Sequence, residues 1–200
     1  MPPAADPTER IRAYLARSAE VKRLTATSCA ESIARGAELL VRCYREGGKV
    51  LFCGNGGSAA DCQHLAAELV NGWTRARPRP ALAAVALTTD SSFLTANAND
   101  VGFEHVFERQ VEALGRPGDV LVAISTSGGS ANVLRALTAA RAKGLGTILL
   151  SGASGGAAAS LADVAVLVPS TETQHIQEAH IAVGHLLCAL VEEGVCPWSS

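Results

Sequence analysis

Five short apolar runs dominate the pattern of the chain after residue 48. They cover residues 49–53, 81–89, 119–125, 146–151 and 163–169. Most are unbroken rather than alternating in polarity, which is typical of strands covered on both faces. Helix-like segments lie between and after these runs, at 58–71, 103–114, 131–143, 156–161 and 174–193. The alternation of strands and helices predicts an α/β fold with a doubly wound, five-stranded parallel sheet flanked by helices.

The first part of the chain carries a different pattern. Residues 8–46 are rich in helix formers, Arg and Glu, and their apolar residues recur every three or four positions. This periodicity predicts one long or two shorter amphipathic helices that end at Gly47-Gly48. We therefore expect a single domain over the whole chain, in which residues 1–47 form an N-terminal helical arm. Residues 48–195 then form the α/β core with its C-terminal helix.

Composition narrows the classes of function. The 200 residues are 48% hydrophobic and 18% charged, as in a folded globular chain. A net charge of −2 implies no bulk attraction to nucleic acid or to an anionic membrane, and no apolar run is long enough to span a bilayer. Residues 1–20 lack the apolar stretch of a signal peptide, so we expect a cytoplasmic protein.

Two further features of composition are interpreted as structural. The six cysteines contain no CxxC pair, which favours reduced, mostly buried residues over a zinc–thiolate cluster. The basic stretch RARPRP at 75–80 is interpreted as a surface turn into the second strand, and a solvated loop is favoured over an anion contact.

Two glycine-rich loops carry the first candidate chemistry. GNGGSAAD (54–61) follows the first predicted strand, STSGGSAN (125–132) follows the third, and each leads into a helix. Open parallel sheets bind ligands at this edge, where hydroxyls and the amides of helix N termini donate to a phosphate. Neither loop contains GxGxxG or GK[ST], and no lysine lies in either of them. The two loops therefore favour a sugar monophosphate over a nucleoside triphosphate, with plain tight turns as the alternative.

Ionisable residues cluster on two of the predicted helices. His64 and Glu68 are four residues apart and so share one face of the helix after the first loop. The C-terminal helix holds three more histidines, of which His185 follows Gly184, a residue small enough to admit a ligand. These residues are suitable for zinc binding or for acid–base chemistry, and their spacing does not choose between the two. An ordinary surface pair remains the alternative for His64 and Glu68, and a hydrogen-bonded core role is favoured for His180.

Three stretches of the chain are distinctive in combination. They read CGNGGSAADCQHLAAEL, LTANANDVGFEHVFERQVEALGRPGDVLVAISTSGGSANVL and IQEAHIAVGHLLCALVE. Over about residues 30–195 they resemble, in the same order, the phosphoheptose isomerases of the sugar-isomerase (SIS) fold group. The resemblance implies a flavodoxin-like SIS fold and the conversion of sedoheptulose 7-phosphate into D-glycero-D-manno-heptose 7-phosphate through an enediolate. It further implies a role in heptose biosynthesis and homotetramers whose sites lie between subunits.

The resemblance also implies roles for particular residues. Glu68 would be the base, and His185 the opposing acid or base. One zinc ion per subunit would be held by His64, Glu68, Gln177 and His185. Substrate contacts would come from Asn55, Gly56, Gly57, Glu68, Asn99, Asp100, Ser125, Thr126, Ser127, Ser130 and Gln177. The hydroxyl residues of the second loop would surround the phosphate, and Asn99-Asp100 are expected in a turn.

Two departures from the family pattern concern the site entrance rather than the reaction class. Gln174-His175 stands where Arg or another polar residue is frequent, and Gly129 replaces a frequent Asn. The alternatives are a non-catalytic SIS-type binding protein of the replication-initiator-associating kind, or an isomerase of another sugar phosphate. Such binding proteins tend to lack the acidic residue and the last histidine that this chain has at Glu68 and His185, so an enzyme is favoured.

Overall fold

A computed structural model describes residues 6–74 and 78–196 of the chain. The described residues form six α-helices: α1 (Pro7–Arg45), α2 (Gly57–Asn71), α3 (Ser91–Asp100), α4 (Glu108–Leu114), α5 (Ala131–Ala142) and α6 (Thr173–Val195). They also form five strands: β1 (Val50–Gly54), β2 (Ala84–Ala86), β3 (Val120–Ser125), β4 (Gly146–Gly152) and β5 (Val164–Val168). Two short 3-10 turns cover Phe103–His105 and Ala157–Leu161.

The sheet is parallel throughout, in the order β2-β1-β3-β4-β5. Its side chains alternate between two apolar layers, so that Phe52 packs with residues of α1, α2 and α6 on one face. Leu51 packs with residues of α4 and α5 on the other face. Helices on both faces explain why the strands are apolar without a polar side. The predicted doubly wound, five-stranded sheet is confirmed.

Helix α1 is one continuous helix of 39 residues, about 58 Å long. The Asp6 carboxylate accepts a hydrogen bond of 3.0 Å from the Thr8 amide at its start, and Gly47 follows its end with a φ of 79°. Its first three turns are exposed. From Val21 onward its apolar stripe is buried against β5 and α6, so most of the predicted arm belongs to the core.

Three elements differ from the sequence prediction. Helix α3 was not predicted; Asp90 caps it by accepting a 3.0 Å hydrogen bond from the Phe93 amide. The segment predicted as one helix at 103–114 is a 3-10 turn followed by α4. Strand β2 spans three residues instead of the nine predicted. It lies at the sheet edge and pairs with β1 alone in the described residues.

The cysteines and the helix lengths agree with the expectations from composition. All six cysteines are free, and five of them are buried. In the part of the chain that the structure describes, no helix is both long enough and apolar enough to cross a membrane.

Candidate active site

The two glycine-rich loops lie side by side at the point where the sheet changes direction. From β1 the chain passes to β2 on one side, whereas β3 lies on the other side and continues outward to β4 and β5. Loops that leave neighbouring strands in opposite directions open a crevice at the carboxyl edge, which is where ligands of such sheets bind. The β1 loop and the β3 loop therefore form the two walls of the candidate site.

Both loops lead into helix N termini that no side chain caps. The N-cap of α2 is Gly56, at a φ of 56° that favours glycine, and the N-cap of α5 is Ser130. The Ser130 hydroxyl lies 3.2 Å from Ser125 Oγ instead of capping its own helix. Ser125 in turn accepts a 3.2 Å hydrogen bond from the Gly128 amide, which shapes the turn. The positive ends of both helix dipoles thus face a site suited to an anion.

A reciprocal pair of amides joins the two loops. Asn55 Nδ2 donates to Asn132 Oδ1, and Asn132 Nδ2 donates to Asn55 Oδ1, each at 2.9 Å. Asn132 is buried, at 3% exposure. The pair fixes the distance between the loops, and it engages the carboxamide of Asn55, which was predicted as a substrate contact.

The acid–base residues converge from α2 and α6. His64 Nε2 lies 2.8 Å from His185 Nε2 and 3.6 Å from Glu68 Oε1. The contact between the rings requires one imidazole to present its N–H and the other its lone pair. The sequence-predicted trio of His64, Glu68 and His185 is therefore one cluster in the folded chain.

Gly184 brings the two helices close enough for this contact. A Cβ at Gly184 would lie 2.5 Å from Leu65 Cδ1, so only glycine leaves room for the Leu65 side chain. Leu65 directly follows His64 in sequence, and Gly184 directly precedes His185. The expectation that Gly184 admits a ligand is wrong, because the space beside it is filled by Leu65, 2% exposed.

The predicted zinc ligands are of a chemical type that suits zinc, but their side chains are not arranged as a metal site in the described part of the chain. Gln177, the fourth predicted ligand, packs against the first loop, where a Cβ on Gly57 would lie 2.6 Å from Gln177 Nε2. No group of three or more His, Cys, Asp or Glu side chains in residues 6–74 and 78–196 is spaced to hold a metal ion as it stands. Two imidazole nitrogens beside a carboxylate oxygen are nevertheless ligand types that zinc prefers. The zinc site stays a prediction.

Comparison with known proteins places this site in a family. The SIS domain family profile matches residues 13–152. A phosphoheptose isomerase from Rhodospirillum rubrum is 55% identical over 189 residues, which cover 94% of this chain and 98% of that protein. The chain belongs to the phosphoheptose isomerase family. The predicted family and isomerase class are thereby confirmed.

Solved structures of phosphoheptose isomerases agree with the fold. The enzyme from Neisseria gonorrhoeae matches with a TM-score of 0.88 at 47% identity, over 93% of this chain and 98% of that one. The enzyme from Francisella tularensis matches with a TM-score of 0.90 at 38% identity, over 94% of this chain and 99% of that one. At 93% and 94% coverage of this chain, both matches extend into α6, which lies beyond the residues matched by the SIS domain profile.

Burial perturbs two ionisable groups near this phosphoheptose isomerase-type site. Burial raises the pKa of Asp61, against the opposing charge of His64, and Asp61 Oδ2 has no hydrogen-bond partner among the described residues. Burial lowers the pKa of His180 to about 4. His180 is fully buried, so the predicted core role is confirmed. The Ser151 backbone partly opposes the effect of burial on this pKa as a weak hydrogen-bond partner, although neither ring nitrogen meets a partner at normal distance and angle within the described chain. The imidazole is kept neutral by its burial.

Among the described residues, Asn99 and Asp100 hydrogen-bond each other and no residue of the histidine cluster. They are the last two residues of α3 and not a turn as predicted, and Asn99 Nδ2 donates a 2.8 Å hydrogen bond to Asp100 Oδ1. Both are exposed, and α3 packs on the Phe103–His105 turn, whereas α2 packs on α6. Their proposed contact with the substrate remains a prediction.

Three residues that shape this family site were not predicted from the sequence. Asn132 was only read as part of a loop, although a polar residue at the start of an apolar helix was an available signal. The Trp73 ring lies 5.0 Å from the His185 ring, centroid to centroid. Arg79 was interpreted as part of a solvated turn, which is wrong, since its side chain is 2% exposed and paired with Glu192. Residues 75–77 of that predicted turn lie outside the described residues.

Proposed function

We propose that the chain interconverts sedoheptulose 7-phosphate and D-glycero-D-manno-heptose 7-phosphate, the first step of nucleotide-activated heptose biosynthesis. The observation that carries the proposal is the convergence of His64 and Glu68 from α2 with His185 from α6 beside the sheet crevice. Two helix N termini without side-chain caps lie at the same crevice. The site thus combines acid–base groups with donors for a phosphate.

The isomerisation needs a base, an acid and a second proton transfer. Glu68 takes a proton from C1 of the ketose, and the C–H electron pair forms the C1=C2 bond while the C2 carbonyl oxygen takes a proton from His185. His185 then accepts the proton of the C1 hydroxyl, and Glu68 returns its proton to C2. C1 becomes the aldehyde and C2 the new carbinol carbon, so no external oxidant or reductant is required.

The phosphate is assigned to the second loop. Ser125, Thr126, Ser127 and Ser130 supply hydroxyls there, and the α5 dipole points its positive end at them. Ser125 is buried and organises the turn, whereas Ser127 is exposed and available to a ligand. The sugar is assigned to the first loop, with Asn55, Gly56 and Gly57, and to Gln177 beside that loop.

One zinc ion per subunit is part of the proposal. Its ligands would be His64, Glu68, Gln177 and His185. Bound zinc supplies Lewis acidity that polarises the sugar carbonyl and orients its hydroxyls. The support is the mutual contact of three of these side chains and the contact of the fourth with the adjoining loop.

Self-association as a homotetramer and a cytoplasmic location complete the proposal. The exposed start of α1 supports self-association, because Ile11 and Leu15 lie one turn apart on one face and are 60% and 61% exposed. Six free cysteines support a reducing compartment. Light scattering would read the mass of the assembly, and a monomer at working concentration would contradict that part.

The reaction is tested by supplying zinc and sedoheptulose 7-phosphate to the purified protein and following the carbons by NMR. We expect an aldose phosphate from the wild type and none from Glu68→Gln, which keeps the shape of the base but removes its proton affinity. Glu112→Gln, on the exposed α4, is the matched control and should keep wild-type turnover. A wild type that leaves this ketose untouched would refute the proposal, and turnover of a different ketose phosphate instead would correct the substrate.

Zinc dependence is tested separately. Elemental analysis of the purified protein should find one zinc per chain, and His64→Ala should lower that content together with turnover. A chelator should abolish activity, and added zinc should restore it. Full activity in a metal-free protein would exclude the zinc role without excluding the acid–base chemistry.

A further inference from the structure

We infer that Trp73, Arg79 and Glu192 are positioning residues that set the orientation of the His185 ring relative to Glu68. The inference rests on the proposed isomerisation. It concerns the buried Arg79–Glu192 pair and the half-exposed Trp73 at the far ends of α2 and α6, outside the residues assigned to substrate or zinc.

Glu192 fixes the chain segment after α2 to the helix that carries His185. It lies seven residues after His185 and so two turns along the same face of α6. One carboxylate oxygen, Glu192 Oε1, accepts a 2.5 Å hydrogen bond from the Trp73 amide and a 2.8 Å hydrogen bond from Arg79 Nε. The Trp73 amide and the Arg79 guanidinium therefore bind the same carboxylate oxygen on α6.

Arg79 extends the connection to α2. Its Nη2 donates a 3.0 Å hydrogen bond to the backbone carbonyl of Glu68, the residue assigned as the base. The same guanidinium thus bonds the last turn of α2 and the carboxylate of Glu192 on α6. One side chain bridges the two helices that carry the proposed base and the proposed acid.

Trp73 is the part of this group that contacts the proposed acid. With its amide held by Glu192, its ring centroid lies 5.0 Å from that of His185 at an interplanar angle of 46°. His64 lies on the same imidazole at a centroid distance of 5.1 Å and an angle of 65°. Two aromatic neighbours restrict rotation of the His185 ring, as a proton-transfer group requires.

The burial of the ion pair points to a geometric role. The side chains of Arg79 and Glu192 are 2% and 4% exposed. Removing two charges from water offsets much of their mutual attraction, so a buried pair of this kind is a poor source of stability in comparison with apolar residues. What the pair provides, and apolar side chains do not, is a directional bond to the Trp73 amide and to the Glu68 carbonyl.

The test uses Trp73→Ala, Trp73→Phe and the double variant Arg79→Met/Glu192→Met, which removes both buried charges together. With saturating zinc, we expect kcat to fall about 10- to 100-fold in Trp73→Ala and in the double variant, with KM within about twofold of wild type. Trp73→Phe should restore most of kcat. Leu114→Ala on α4 is the matched control, because Leu114 is 42% exposed and Trp73 is 40% exposed, and it should leave kcat unchanged.

A second readout does not depend on activity. The His185 ring protons should show a ring-current shift in the NMR spectrum of the wild type that is lost in Trp73→Ala and in the double variant. Loss of kcat and of this shift without a matching loss of thermal stability would support the inference. An unchanged shift in the double variant, or a wild-type kcat in Trp73→Ala, would overturn it. A wild type that shows the shift but no isomerisation would instead refute the proposed function and leave the ring contact established.

Discussion

The close contact between α2 and α6 requires glycine at position 184, because glycine has no Cβ. A Cβ on Gly184 would lie 2.5 Å from Leu65 Cδ1 and 2.6 Å from Leu65 Cδ2, whereas ordinary contacts fall at 3.4–4 Å. Leu65 is buried, at 2% exposure, and the apolar cavity that it lines together with Gly184 has a volume of only about 10 Å³. Gly184→Ala must therefore move the helices apart, or displace Leu65, by about 1 Å.

The expected cost is small for stability and large for the reaction. Alanine in a helix interior gains about 1 kcal/mol over glycine, and overpacking costs about 1–3 kcal/mol, so the net loss is at most about 2 kcal/mol. A displacement of about 1 Å between reacting groups costs up to about 100-fold in rate. Because His64 and His185 adjoin Leu65 and Gly184, we expect kcat to fall about 10- to 100-fold. The melting temperature should fall by less than about 8 °C.

The assay combines NMR of sedoheptulose 7-phosphate turnover with thermal melting. The matched control is Gly194→Ala, ten residues further along the same helix, whose Cβ would lie 2.5 Å from Val41 Cγ2. It should lower the melting temperature similarly without affecting kcat. Adding Leu65→Val to Gly184→Ala should recover activity by returning space. Wild-type kcat in Gly184→Ala, or equal losses of kcat in both glycine variants, would refute the reasoning.

Two further predictions concern the loop pair and the buried histidine. Asn132→Ala leaves the Asn55 carboxamide without its partner, so we expect KM for the sugar phosphate to rise several-fold and the free energy of unfolding to fall by about 1–3 kcal/mol. Steady-state kinetics and thermal melting measure the two effects. An unchanged KM would contradict this prediction. His180 has a folded pKa of about 4, below its ordinary 6.5, so the unfolded chain binds the proton more readily. The contribution of this group to the free energy of unfolding is fully present above pH 6.5 and is lost as the pH falls toward 4. The loss is about 2 kcal/mol at pH 5. His180→Leu should remove that part of the acid sensitivity in urea unfolding at pH 7.5 and 5.0, and equal losses in both proteins would count against it.

Local pattern was enough to predict most of the fold. The unbroken apolar run VLVAIS (120–125) is a strand as predicted, because both faces of a central parallel strand are covered. The edge strand was predicted too long, since residues 81–89 are apolar but only Ala84–Ala86 find a neighbour to pair with. Helix α3 was missed because its sequence, SSFLTANAND, has no clear apolar periodicity, and its signal was the capping Asp90 alone.

The sequence by itself determined the chemical content of the site: two loops that place helix N termini at one sheet edge, and a histidine and a carboxylate four residues apart on one helix. Spacing along a helix is enough for His64 and Glu68, because the helix period is a local property. Spacing does not choose which histidine of α6 meets them. The family resemblance named His185, and the tertiary structure gives the physical reason, since the choice between His180 and His185 depends on how α6 lies across α2. That crossing is set by Leu65 against Gly184 and by Arg79 between α2 and Glu192. The contacts of Leu65 with Gly184 and of Arg79 with Glu192 join residues more than 100 positions apart, and no local pattern in the chain encodes them.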